Sequence, residues 1–255
     1  MRKIRLIRFR PLTNSNDFVR AKEMIETKTF YCSKLWDLND PMEGIYNTSK
    51  KHITDKIFKE KNEYVICSFS SKEALNNPLI WGYYTHGYKG FAVEIEYNEK
   101  IINDIDDETM GDCCIVKVNY VDNILEIKDS SSVPKIISTK LKNWKHEDEY
   151  RYLNNTGSGN LFNIGEIKTV YFGDPYGSIS NKRKIVSKSK TMKCYNEYLN
   201  YLWQCCKNNG IEPVLFDGYQ KKRNYQIYQM NQDYPMIVNL FWIRVRIEFK
   251  HSVLF

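Results

Sequence analysis

Gly90-Phe91-Ala92-Val93-Glu94-Ile95-Glu96-Tyr97 decides the reading of the whole chain. Phe91, Val93, Ile95 and Tyr97 alternate with Ala92, Glu94 and Glu96, the two-residue period of a β-strand that buries one face. Outward from it, Cys114, Val116, Val118 and Tyr120 repeat the alternation. Shorter strand-like runs stand at Ile4 to Phe9, Thr29 to Cys32, Tyr64 to Cys67, Glu149 to Leu153, Lys168 to Phe172, Val214 to Phe216 and Tyr225 to Tyr228. Between them lie helix signals. Asn14-Ser15-Asn16-Asp17 starts a helix with Phe18, Ala21 and Ile25 on one side. Ile53 and Ile57 mark a surface helix, and Asn77 caps a short one opened by Pro78 that carries Trp81 and Tyr84. A further helix is expected from Pro134 to Leu141. The longest has Tyr195, Leu199, Leu202 and Cys206 on one face and stops at Asn209-Gly210.

Strands and helices interleave irregularly, and no G-x-G-x-x-G or G-x-x-x-x-G-K-[ST] loop is present, which argues against a doubly wound or P-loop architecture. The expectation is an α+β fold: a single domain with a mixed, curved, split sheet flanked by helices, over residues 1–230, with its core at about 5–175 and a helical, basic part at 176–230. Residues 231–255 read as an apolar and basic extension.

Seven cysteines without a C-x-x-C pair argue against zinc, so no metal is expected. The opening Met1-Arg2-Lys3-Ile4-Arg5 lacks the apolar stretch of a signal peptide, which predicts reduced thiols and a cytoplasmic protein. No run approaches the roughly 20 apolar residues of a membrane span. The net charge is +7, with lysine and arginine gathered at Lys182-Arg183-Lys184, Lys188 to Lys193 and Lys221-Lys222-Arg223, so RNA or DNA is a plausible partner. A solvated basic surface is the competing reading.

Five motifs in order, Asn39-Asp40-Pro41-Met42-Glu43, Ile66-Cys67-Ser68-Phe69-Ser70, Trp81-x-x-Tyr84 with Lys89-Gly90-Phe91, Trp144-x-x-Glu147-x-Glu149-Tyr150-Arg151 and Val170-Tyr171-Phe172-Gly173, resemble the bacterial domain of unknown function 2971 family. More loosely, an arginine on the first strand, a Ser-x-Ser at a strand end and a Glu-x-Glu heading a later strand are similar to the Arg-Ser-Glu class of ADP-ribosyltransferases. That second resemblance implies an NAD-consuming transferase, used as a toxin or antiphage effector and modifying RNA, DNA or protein. An antitoxin or chaperone is the partner expected if the chain is instead a protein-interaction domain.

The residue types suit that chemistry. Loss of nicotinamide from NAD builds positive charge on the ribose, and a fixed carboxylate facing it stabilises the transition state; Glu149 is the candidate. In an extended segment Glu147 stands on the same face about 6 to 7 Å away, placed to orient the acceptor or take its proton. Arg8 or Arg10 suits the pyrophosphate, Ser68 and Ser70 the ribose, and Tyr83 or Tyr84 the nicotinamide ring. Each has a plainer reading. Glu149 with Arg151 makes an ordinary strand salt bridge, Arg8 and Arg10 a solvated basic start, Ser-Phe-Ser a capped turn, and Trp81, Tyr84 and Trp144 core. Asn39 to Glu43 reads as a chain reversal that could border the pocket. The alternatives to an enzyme are a noncatalytic nucleic-acid-binding module and a protein-interaction domain.

Overall fold

The alternating segment at residues 90–97 lies inside the sheet, and both of its faces are buried rather than the one expected. Its acidic residues are covered because each meets cations: Glu94 pairs with Arg5 and Lys72 and accepts from the Tyr171 hydroxyl, and Glu96 pairs with Lys3.

The computed structural model describes residues 3–38, 43–98, 101–102, 113–127, 133–175 and 189–217, all within one unit, Met1–Tyr225. The chain begins with β1 (Ile4–Pro11), α1 (Ser15–Thr27), β2 (Phe30–Tyr31), β3 (Ser33–Lys34) and a 3-10 turn (Leu35–Asp37). Then come β4 (Tyr46–Asn47), α2 (Lys51–Glu63), β5 (Val65–Ser71), a second 3-10 turn (Lys72–Asn76), α3 (Pro78–Tyr84) and β6 (Gly90–Tyr97). The middle holds β7 (Ile101–Ile102), β8 (Cys113–Lys117), β9 (Asn119–Val121), β10 (Leu125–Glu126), α4 (Val133–Ile137), β11 (Thr139–Leu141) and a third 3-10 turn (Lys142–Glu147). The described part closes with β12 (Glu149–Asn154), β13 (Leu161–Phe162), β14 (Glu166–Gly173), α5 (Lys190–Asn208) and β15 (Glu212–Phe216). The Asn39 to Met42 part of the first motif, most of the basic clusters, Tyr225 to Tyr228 and the 231–255 extension lie outside the described residues.

The fold is α+β with an open mixed sheet. Among the described residues the main sheet has nine strands, in the order β15-β14-β6-β1-β5-β12-β8-β7, with β3 added alongside β5. Its outer pairs β14–β15 and β7–β8 are parallel and its inner pairs antiparallel.

Register assigns the faces. Ile7 stands opposite Ser70 and Glu94, and Ser70 opposite Glu149, so these four side chains share one face, as do Ser68 and Arg151. Arg8 and Arg10 alternate to the other. On the Ser70 face, α2 and α4 cover one apolar cluster through Ile53, Ile57, Ile136 and Ile137 against Ile66, Val116 and Leu153. The second 3-10 turn and α3 cover another, with Leu75, Ile80 and Trp81 against Ile7, Phe9 and Ala92. On the opposite face α5 packs Trp203 on Phe172, and the buried Tyr195 hydroxyl donates to the carbonyls of Gly90 and Gly173. Helix α1 stacks Phe18 on Tyr198 of α5.

Three expected boundaries move. Strand β5 runs on through Ser68-Phe69-Ser70-Ser71 instead of turning there, because β12 pairs it from Asn154↔Val65 to Glu149↔Ser70. The helix expected from Pro134 to Leu141 stops at Ile137, and Thr139–Leu141 pairs in parallel with β9. Glu147 ends a 3-10 turn rather than sitting in the strand, and Asp148, at φ 41° and ψ 58°, turns the chain into β12. Aspartate is among the few non-glycine residues that tolerate this left-handed conformation.

Candidate functional site

The two apolar clusters on the Ser70 face leave polar side chains between them, and there a cavity of about 400 Å³ opens, the size of a small-molecule site. Strand β5 forms its floor. Among the registered pairs, β1 meets β5 only at Leu6↔Ser71 and Ile7↔Ser70, and β3 meets it only at Ser33↔Ile66 and Lys34↔Val65. On that edge Cys67, Ser68 and Phe69 have no registered backbone partner, and the gap is taken up by Arg8. Its guanidinium donates to the Ser68 carbonyl (3.4 Å), to the Tyr31 carbonyl (3.1 Å) and to Cys67 Sγ, and lies 5.8 Å from the Phe69 ring.

Arg8 and Arg10 both border the cavity, yet they stand on the sheet face opposite Glu149, so they meet it across the gap between β1 and β5. The plainer reading of a solvated basic start is wrong for Arg8, which is 8 % exposed. Among the described residues neither arginine has a carboxylate partner. The nearby Arg8 charge, together with burial, lowers the Arg10 guanidinium to about 9, and the neighbouring Cys67 thiol offsets this only in part.

Across the floor lies the opposite charge. Lys140 Nζ is 3.0 Å from Glu43, 2.7 Å from Glu147 and 2.8 Å from Glu149. Arg151 donates to Glu149 through Nε (2.8 Å) and Nη2 (3.2 Å), to Glu43 (2.5 Å) and to the Ile137 carbonyl. The Tyr84 hydroxyl donates to Glu147, and the Glu149 amide donates to the Tyr120 hydroxyl at 2.9 Å. All five charged side chains are at most 6 % exposed.

Three carboxylates against two cations leave this cluster one net negative charge. Burial alone would raise the Glu149 carboxyl, but Arg151 and Lys140 hold it down to about 2. Burial would likewise strip the proton from Lys140, and the facing carboxylates instead raise it well above the ordinary lysine range. Burial, then Glu147, pushes the Tyr84 phenol up, so it stays a donor. At neutral pH the cavity therefore has an anionic wall on the β12 side and a cationic one on the β1 side.

Of the residues singled out from sequence, Arg8, Arg10, Ser68, Ser70, Tyr84, Glu147 and Glu149 all line this cavity. Tyr83 does not: it is 61 % exposed on the outer side of α3, its ring 6.2 Å from His146. Neighbouring residues on a helix point about 100° apart, so Tyr83 and Tyr84 could not both enter. Among the described residues the hydroxyls of Ser68 and Ser70 make no hydrogen bond, which leaves them open to a ligand and sets aside the capped-turn reading. The plain salt-bridge reading of Glu149 with Arg151 holds, but in a buried network rather than on a surface.

The sequence allowed the Asn39–Glu43 segment to border the pocket, and Glu43 does line it; Trp144 was read as core and Lys140 was missed, and both are wall residues. Glu43 had a signal, since it closes the Asn39–Glu43 motif. Lys140 had none, because the segment around it read as helix. Among the described residues no His, Cys, Asp and Glu cluster could hold a metal, no helix is long and apolar enough to cross a membrane, and all seven cysteines are free. Comparison with known proteins finds no matching family model, curated protein or solved structure.

Proposed function

We propose that the cavity binds NAD and that the protein is an ADP-ribosyltransferase of the Arg-Ser-Glu type, acting as a toxin or antiphage effector on RNA, DNA or protein. The observation that carries this reading is the convergence of Arg8, Arg10, Ser68, Ser70, Tyr84, Glu147 and Glu149, from distant parts of the chain, around one cavity. A dinucleotide with an anionic pyrophosphate and a cationic nicotinamide matches its two walls. Arg10, whose guanidinium has no hydrogen-bond partner among the described residues, takes the pyrophosphate together with Arg8. The hydroxyls of Ser68 and Ser70 take the ribose.

A carboxyl held near 2 is fully ionised at neutral pH, as the residue facing an oxocarbenium ion must be. The two oxygens of Glu149 offer about four lone-pair sites. Arg151 and Lys140 occupy three of them, and one remains for a ribose hydroxyl. The C1′–N bond breaks with its electron pair leaving on nicotinamide, an acceptor nucleophile bonds to C1′, and the acceptor's proton passes to Glu147. Fold kinship with that class, including a split sheet, is part of the same proposal.

Purified protein, labelled NAD and bacterial extract test the proposal. Nicotinamide should be released and label transferred to a species that RNase, DNase or protease then identifies, and Glu149→Gln should lose about 100-fold or more of the turnover. Intact NAD in the presence of extract, or equal turnover by a folded Glu149→Gln, overturns it.

A further inference from the structure

Glu43, Glu147 and Glu149 reach the cavity from three separate places: the segment before β4, the end of the third 3-10 turn and the start of β12. Among the described residues a single group touches all three, the Lys140 ammonium at 3.0, 2.7 and 2.8 Å. The ammonium donates a hydrogen bond to Glu147 and forms ion pairs with Glu43 and Glu149. Arg151 reaches Glu43 and Glu149 but makes no bond to Glu147, and Tyr84 reaches Glu147 but makes no bond to the other two. Lys140 comes from β11, where it stands opposite Tyr120 of β9, and its charge lies 5.4 Å from the Trp144 ring that lines the cavity. It is 6 % exposed on its side chain, so bulk water is no substitute for these contacts.

We propose that Lys140 is the positioning residue of this site and Glu43 its third acidic member: the lysine sets the spacing of Glu147 and Glu149 by binding both, and Glu43 balances the lysine and Arg151 from the far side. The role in catalysis rests on the ADP-ribosyltransferase reading, while the positioning itself does not. The groups that face the ammonium are Glu43, Glu147, Glu149, Arg151, Tyr84, Tyr120 and the Trp144 ring. Among the described residues, loss of the ammonium leaves Glu149 with Arg151 as its cationic partner and Glu147 with the Tyr84 hydroxyl.

The test is Lys140→Met in the full chain, a side chain of similar length without the charge. Carbon-13 NMR titration of the glutamate carboxyls should move the Glu149 midpoint upward by a pH unit or more. The acid limb of the kcat/KM profile for NAD should move the same way, and Lys140→Arg, which keeps the charge, should bring both back toward wild type. An unmoved Glu149 midpoint in folded Lys140→Met overturns the proposal. If Lys140→Met does not fold, Lys140→Met/Glu147→Gln removes a carboxylate along with its cation: recovery of folding supports the proposal, and failure to recover overturns it. Should the wild type leave NAD intact, the functional reading falls while the carboxyl titration still decides this one.

Discussion

Replacing Arg151 with methionine measures how much the buried charge network contributes. The guanidinium is fully buried and donates to both oxygens of Glu149, to Glu43 and to the Ile137 carbonyl. Methionine keeps much of the volume and none of the donors. The cluster then carries three carboxylates against one cation, and removing one partner of a buried pair costs about 3 to 5 kcal/mol. For a domain of roughly 200 residues each kcal/mol moves Tm by about 2 to 4 °C, so the melting temperature should fall by about 6 to 20 °C.

The pH dependence gives a second, sharper reading. The Glu149 carboxyl lies at about 2 in the folded chain against an ordinary 4.5. Its pairing therefore contributes stability that is present above pH 4.5 and lost as pH falls toward 2, about 3 kcal/mol for a shift of this size. The variant lacks most of that contribution. Urea unfolding of both proteins from pH 7 down to pH 2.5 should show a stability gap that is widest above pH 5 and narrows as the solution is acidified. A gap that stays constant across this range, or a loss in Tm below about 2 °C, refutes the assignment of Arg151 as the main partner of Glu149.

Gly90→Ala should destabilise by about 1 to 3 kcal/mol by overpacking, because a Cβ there meets the Arg10 carbonyl at 2.3 Å and Thr85 Cβ at 2.7 Å; a melting temperature within 1 °C of wild type would contradict this close approach of β1 and β6. Lys61, buried under the Tyr46 ring and donating to the Gly44 carbonyl, is lowered by that burial to about 8 against 10.5 when unfolded. Its protonated form is the disfavoured one in the folded chain, so stability should rise as pH goes from 8 toward 10.5, by at most about 3 kcal/mol and less wherever water screens the charge. Lys61→Met should flatten that rise in urea unfolding, and equal slopes for the two proteins would show that the lysine is not desolvated.

Local signals carried the elements well and the site partly. Asn14 caps α1 by accepting from the Asp17 amide, Asn77 caps α3 by accepting from the Leu79 amide, and α5 ends at Asn208 beside the Asn209-Gly210 stop, all by short-range chemistry visible in one sequence. Strand β5 looked shorter than it is because Ser-Phe-Ser reads as a turn locally. Its extension depends on β12, about 80 residues away, and no local propensity encodes that pairing. The same limit hid Lys140. A three-residue strand paired with β9 flips its side chain into the cavity, whereas the expected helix gave it no direction at all. The sequence placed Trp81 and Tyr84 at helical spacing yet kept Tyr83 as a candidate, and the helix phase that separates the two tyrosines is set by Trp81 and Ile80 entering the core.

The gap in the sheet and the charges around it depend on each other. A β5 edge without a strand partner at Cys67 to Phe69 among the described residues exposes a backbone carbonyl, which is tolerated inside a protein only if a donor reaches it. Arg8 supplies that donor from a neighbouring strand, at 3.4 Å from the Ser68 oxygen. The arginine in turn brings a buried positive charge beside Arg10, and continuous pairing of β1 with β5 would have filled the space both now border. On the β12 side the floor is fully paired, so backbone needs are met and the side chains of Glu149 and Arg151 are left to satisfy one another. The opening thus follows from one topological fact, that β1 leaves β5 after Ile7, and arginine borders it on one side while carboxylates border it on the other.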